Sequence, residues 1–145
     1  MENESILALE LIQLNPLIGK WNFKGSFKDN PEKWVEGWET YDVIDDGKAI
    51  LCDHETQTIL SGNIIDIYKN SMKISFKTDT KKIIGDNAWE INFVRRKLIF
   101  RNTRHRFTGI LNESEGTIIG KWENMTTSGK WKYWYDKTFV KINHL

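Results

Sequence analysis

Gly19-Lys20-Trp21 is the stretch that decides the fold, because it returns as Gly120-Lys121-Trp122 and again as Gly129-Lys130-Trp131. Each copy opens or crosses a segment rich in aromatic and β-branched residues. Glycine lets a strand bend or a large side chain pack over it, and the nearby tryptophan fills the space. The first copy follows a short apolar lead, and the other two stand near the C-terminal end of the sequence. This placement predicts a rolled sheet whose two ends meet at these tryptophans, with Trp21 buried beside the last strand.

Upstream of Trp21, Leu7, Leu11 and Leu14 stand at helical spacing, with Ile18 next on that face. Glu2 and Glu4 precede them, where acid favours a helix N-terminus, and Asn15-Pro16 predicts the end of the helix. A helix this short is marginal alone, so it must lean on an apolar surface such as a barrel mouth.

Downstream, strand-like segments recur at nearly regular spacing: 18 to 27, 34 to 45, 48 to 58 and 59 to 68. Asp46-Gly47 is a tight-hairpin signal, and Lys69-Asn70 reads as a turn. Met72, Ile74 and Phe76 then alternate with polar residues, as do Trp89, Ile91 and Phe93. Leu98, Phe100 and Asn102 share a face, followed by His105, Phe107, Gly109 and Leu111. Ile118, Gly120 and Trp122 come next, and a long last strand runs from Lys130 to about Ile142. About ten short strands without crossover helices predict an all-β fold: an antiparallel up-and-down barrel with one short N-terminal helix. Sequential hairpins close such a barrel and remove its edges, which places a β-sandwich second.

A chain of 145 residues fits one domain, spanning 1–145. The formal net charge of +1 provides no global field toward nucleic acid or an anionic membrane. The single cysteine, Cys52, excludes an internal disulfide and suits a reducing compartment. The acidic start, without a following long apolar run, lacks the look of a secretory signal, so a cytoplasmic protein is expected.

With these elements in place, the chain resembles the calycin superfamily of lipocalins and fatty-acid-binding proteins. It is most similar to small bacterial lipocalin-like domains of unassigned function. The residues that carry the resemblance are Leu17-Ile18-Gly19-Lys20-Trp21, the hairpin from Gly37 to Glu55, Ile65-Asp66-Ile67-Tyr68, and Gly129-Lys130-Trp131 with its aromatic strand. The resemblance implies a barrel that binds a small, partly apolar ligand. It also implies a cation on the last strand against the Trp21 ring. Lipocalins usually place arginine there, and Lys141 is the candidate here. Haem-binding relatives use a histidine near the C-terminus, but the surroundings of His144 do not match, and no cofactor is expected.

The expected ligand-binding residues are Trp38, His54, Trp89, Asn102, His105, Trp122 and Tyr133. Together they would give an aromatic lining with a few hydrogen-bonding groups, the usual composition of a small-molecule site. A barrel filled solid by its own side chains is the competing expectation. Cys52 and His54 share a strand face at roughly 6–7 Å, too far for a nucleophile and its base. Asp53-His54-Glu55 alternates faces, and the three histidines lack zinc-type spacing, so no metal site is expected. Glu36, Glu39 and Asp42 read as a solvated wall, with Glu39 facing away from the other two. The alternatives are an enzyme transferring protons through the His54 or Glu36 region, or an interaction module. The module would use Arg95, Arg96, Lys97, Arg101, Arg104 and Arg106 as a basic outer face, with nucleic acid disfavoured by the low net charge.

Residues 34 to 68 carry large apolar groups on both faces. Trp34, Trp38 and Ile44 oppose Val35, Tyr41 and Val43. A homodimer through the outer face would bury them, and a bulge near Gly37 would resolve the conflict within one chain.

Overall fold

The structure, a computed structural model, describes residues 6–142. Among these residues ten antiparallel strands form one closed barrel: β1 (Gly19–Phe27), β2 (Asn30–Ile44), β3 (Ala49–Leu60), β4 (Asn63–Lys77) and β5 (Lys82–Ile84), then β6 (Glu90–Val94), β7 (Lys97–Arg101), β8 (His105–Asn112), β9 (Thr117–Met125) and β10 (Trp131–Lys141). Neighbours in the sheet are neighbours in sequence, and β10 closes on β1, with Trp21 opposite Lys141 and Ser26 opposite Asp136. The expected up-and-down barrel is therefore the observed fold.

The three Gly-Lys-Trp copies do three different jobs. Trp21 is 1% exposed, and its Nε1 donates to the Leu17 carbonyl at 2.9 Å. Lys141 Nζ stands 5.5 Å from the centre of its ring, so lysine supplies the cation here. Gly120 packs against the neighbouring strand so tightly that a Cβ would lie 2.1 Å from the Thr108 carbonyl oxygen. Gly129, at φ +83°, belongs to the turn between β9 and β10, and Trp131 after it faces outward under Arg106, 4.5 Å away. Spacing alone could not separate a strand glycine from a turn glycine.

The N-terminal helix is a 3₁₀ helix, Leu9–Leu17, and it runs through Asn15-Pro16 instead of stopping there. Its buried leucines, Leu11, Leu14 and Leu17, repeat every third residue, the period of a 3₁₀ turn. They plug one end of the barrel against Ile50, Ile74, Ile91 and Phe93. Ala8 N–H donates to the Gly47 carbonyl at 2.8 Å, and Phe93 N–H donates to Gln13 Oε1 at 2.9 Å, so the plug is bonded to the rim. Glu2, Glu4 and His144 lie outside the described residues.

Two boundaries differ from the sequence expectation. The β3–β4 turn falls at Ser61-Gly62, where both residues take positive φ, and β4 continues straight through Lys69-Asn70. The segment 59 to 68 thus holds the end of β3, the turn and the first part of the 15-residue strand β4. The short strand β5 was not foreseen. It pairs with β4 only from Ser75 to Lys77, so Asn63–Ile74 has no strand on that side. The Lys73 N–H on this edge is taken by Asp86 Oδ2 at 3.0 Å.

The two-faced half of the barrel is not resolved by a bulge at Gly37, since the β2–β3 register runs unbroken from Lys33 to Ile44. Val35, Glu39 and Tyr41 are buried on the inner face of β2. Trp34 and Trp38 face outward beneath the ammonium groups of Lys24 and Lys20, at 5.5 and 5.6 Å. Long lysine stems over indole rings cover apolar area while their charges stay in water. The basic residues do not form one patch. Arg95 and Arg96 occupy the turn at one end of β7, whereas Arg101 and Arg106 lie at the other end, beside Glu90 and Glu123.

Candidate ligand-binding site

Above the helix plug the barrel is hollow, with a cavity of about 520 Å³. Four of the expected residues, His54, Trp89, His105 and Trp122, meet on its wall. They arrive from β3, the loop before β6, β8 and β9, as inward positions of alternating strands. Trp89 stacks on His105 at 6.4 Å, and His105 stacks on Trp134 at 5.8 Å. Trp122 stands edge-on to Trp89 at 5.9 Å, and Phe100 fills the space beside Trp89 at 4.7 Å. The result is an aromatic box on one side of the cavity. The opposite side, from β3 and β4, is more polar, with Thr56, Thr58, Asp66 and Asn70. The rim is open to solvent, where Tyr68 is 53% and Trp134 40% exposed.

The other three expected residues lie elsewhere, each for an identifiable reason. Trp38 is on the outer wall under Lys20, because β2 keeps one phase throughout and the inward positions are odd-numbered. Asn102 is a turn residue whose Oδ1 accepts from the N–H groups of Arg104 and His105, both at 2.9 Å. It sets the start of β8 and so aims His105, but it does not line the cavity. Tyr133 faces outward, with Lys28 Nζ 4.9 Å from its ring. Its apparent parity with Tyr135 is broken by a bulge: Tyr133 opposes Glu123 and Tyr135 opposes Trp122, leaving Trp134 unpaired. The extra residue turns Trp134 into the cavity.

His105 is held by Asn124, whose Oδ1 lies 2.7 Å from its Nδ1. His54 stands 5.5 Å from Tyr68, and burial pushes its pKa below the usual histidine value, keeping the ring neutral at pH 7. Trp122 Nε1 is buried without a partner among the described residues. Buried polar groups left this way are uncommon in a finished core.

The floor holds the residues that sequence reasoning missed. Glu39 and Lys137 are 7% and 5% exposed, with Lys137 Nζ 3.9 Å from Glu39 Oε2. Tyr41 donates its hydroxyl proton to Glu39 Oε1 at 2.7 Å. Burial raises the pKa of Tyr41 and of the neighbouring Cys52 thiol well above their usual values, so both stay protonated. Burial also lowers the pKa of Lys137, while Glu39 opposes that shift. A signal for these residues existed: Lys137 alternates in phase with Tyr135 and Phe139, and Glu39 with Tyr41. A charge on a strand's apolar face is costly without a partner or a purpose. Glu36, by contrast, lies outside and accepts from Trp34 Nε1 at 2.9 Å. Among the described residues no three His, Cys, Asp or Glu side chains converge as a metal cage, and no helix is long and apolar enough to cross a membrane.

No family model matches the chain, and no curated protein matches it in sequence. Solved structures do. The S-type phycobiliprotein lyase CPES of Guillardia theta superposes with a TM-score of 0.61 at 11% identity, over 95% of this chain and 99% of that one. Rv2717c of M. tuberculosis superposes with a TM-score of 0.55 at 8% identity, over 94% and 99%. Each match spans nearly the whole of both chains. The chain therefore shares its fold, a closed ten-stranded barrel, with solved structures. At such low identities the likeness extends to the fold alone, and side chains must carry any statement about the site.

Proposed function

We propose that this barrel binds one small, partly apolar, aromatic molecule in its cavity, with His54, Trp89, His105 and Trp122 as contacts. The observation that carries this reading is the aromatic box over a hollow of about 520 Å³, a size typical of small-molecule sites. Burial of apolar ligand area, at roughly 25 cal/mol per Å², would supply most of the affinity. Polar groups at the box, among them the unpartnered Trp122 Nε1 and the His105 ring, would orient the ligand. The lone Cys52, buried as a thiol, supports a cytoplasmic setting for such a binding protein.

The neutral naphthalene dye prodan tests the reading. Its emission should shift to the blue on saturable binding to one site. Trp122→Ala and His105→Ala should each weaken binding by about tenfold, or ~1.4 kcal/mol. Unshifted emission, or equal affinity in both variants, would remove the cavity from function.

Self-association belongs to the same proposal. Ile64, Ile65 and Ile67 are each more than half exposed, next to the unpaired edge of β4. Exposed apolar strand edges invite pairing with another chain, and a two-fold dimer is the commonest closed solution. Sedimentation equilibrium should give twice the 17.1 kDa chain mass, and Ile65→Lys with Ile67→Lys should return it to one. A wild-type mass that stays at one chain up to high concentration would end this part of the proposal.

A further inference from the structure

We propose that Lys137 is a covalent anchor, whose ε-amino group forms an imine with the carbonyl carbon of an aromatic aldehyde held in the cavity. This rests on the ligand-binding reading above and adds the chemistry of the floor.

Lys137 Nζ has three protons to donate, and its separation from the Glu39 carboxylate exceeds hydrogen-bond reach. Its nearest carboxylate oxygen, Glu39 Oε2, is 3.9 Å away. It stands among rings instead, 3.9 Å from the centre of Phe23, 4.8 Å from Phe139 and 5.9 Å from Trp122. Trp122 belongs to both this floor and the aromatic box, so a ring lying in the box carries its substituent toward Nζ.

The charges on the floor choose the ligand class. Glu39 and Lys137 already cancel, so an anionic ligand would leave one negative charge uncompensated in a poorly solvated site. A neutral carbonyl oxygen satisfies the ammonium and adds no net charge. Desolvation in an apolar pocket is also a general way to make a lysine nucleophilic, and burial acts on Lys137 in that direction.

The reaction balances within these groups. Glu39 takes one proton from the ammonium, and the amine lone pair forms the N–C bond as the carbonyl π bond breaks. A second nitrogen proton passes to the oxygen, giving a carbinolamine. The proton held by Glu39 then joins that hydroxyl, the C–O bond breaks, and water leaves. The product is a protonated imine with its positive charge still opposite the Glu39 carboxylate.

2-Naphthaldehyde with sodium cyanoborohydride tests this in the full chain, since the hydride converts the imine to a stable secondary amine. Intact mass and peptide mapping should show a single adduct on Lys137, and Lys137→Arg should lose it. Binding of the unreactive isostere 2-naphthamide, followed by tryptophan fluorescence, checks that the variant keeps its cavity. Labelling spread over surface lysines, or undiminished in Lys137→Arg, would overturn the proposal. If 2-naphthamide binds and no adduct forms, the imine falls and the cavity reading stands. If neither compound binds, both fall.

Discussion

Trp21→Ala should lower the unfolding free energy by about 3–5 kcal/mol, the range for deleting a large aromatic side chain from a core. Trp21 is 1% exposed and joins three elements at the seam of the barrel. Its ring packs in the core that the helix leucines complete, its Nε1 bonds the Leu17 carbonyl, and Lys141 of β10 covers its face. Removal therefore loosens the plug and the β1–β10 closure together. Trp21→Phe separates the contributions: it keeps most of the buried area but leaves the Leu17 carbonyl without its donor, which costs about 1–3 kcal/mol. Urea denaturation followed by circular dichroism reads both. A loss below ~1 kcal/mol for Trp21→Ala would show that the seam closes without the ring.

The second large effect is expected on the floor. Lys137→Met should destabilise the protein by about 3–5 kcal/mol, because Glu39 would remain buried with no counter-charge. The double replacement Glu39→Gln with Lys137→Met should recover that loss, reaching the wild-type value or exceeding it by about 1–4 kcal/mol. The sign follows from desolvation. Burial holds the Lys137 pKa below its unfolded value, so its charged form is penalised by folding. The contribution of that shift is unfavourable at neutral pH and relaxes only as pH rises toward the unfolded lysine value of about 10.4. A pair that does not stabilise the barrel has its reason in the cavity. If the double variant is as unstable as the single one, the pair is holding the fold together and the floor is structural.

Alternation and turn chemistry made the barrel legible in advance. Strands from Trp89 to Leu111 announce themselves by period two, and meander order follows from tight turns, since no crossover connection separates them. The same alternation put His54, Trp89, His105 and Trp122 on inner faces, where the structure has them. It misplaced Tyr133 because one extra residue, Trp134, reverses the phase of β10, and that residue looks like any other in the strand. Asn102 was misplaced because its phase matches Phe100, although its carboxamide is committed to the turn. Glu39 and Lys137 were passed over because each reads singly as a solvated charge. Only closure of β1 onto β10 and β2 brings residues nearly a hundred positions apart to 3.9 Å.

The sequence by itself thus determined most of the strands, their order, the buried seam at Trp21 and four residues of the cavity wall, since these depend on local periodicity and turn geometry. The tertiary structure alone decided that the barrel is hollow above its helix plug, where a bulge turns Trp134 inward, and that an ion pair lies on its floor. Those features arise from register and closure, which bring together residues distant in the chain, and no local pattern carries that information.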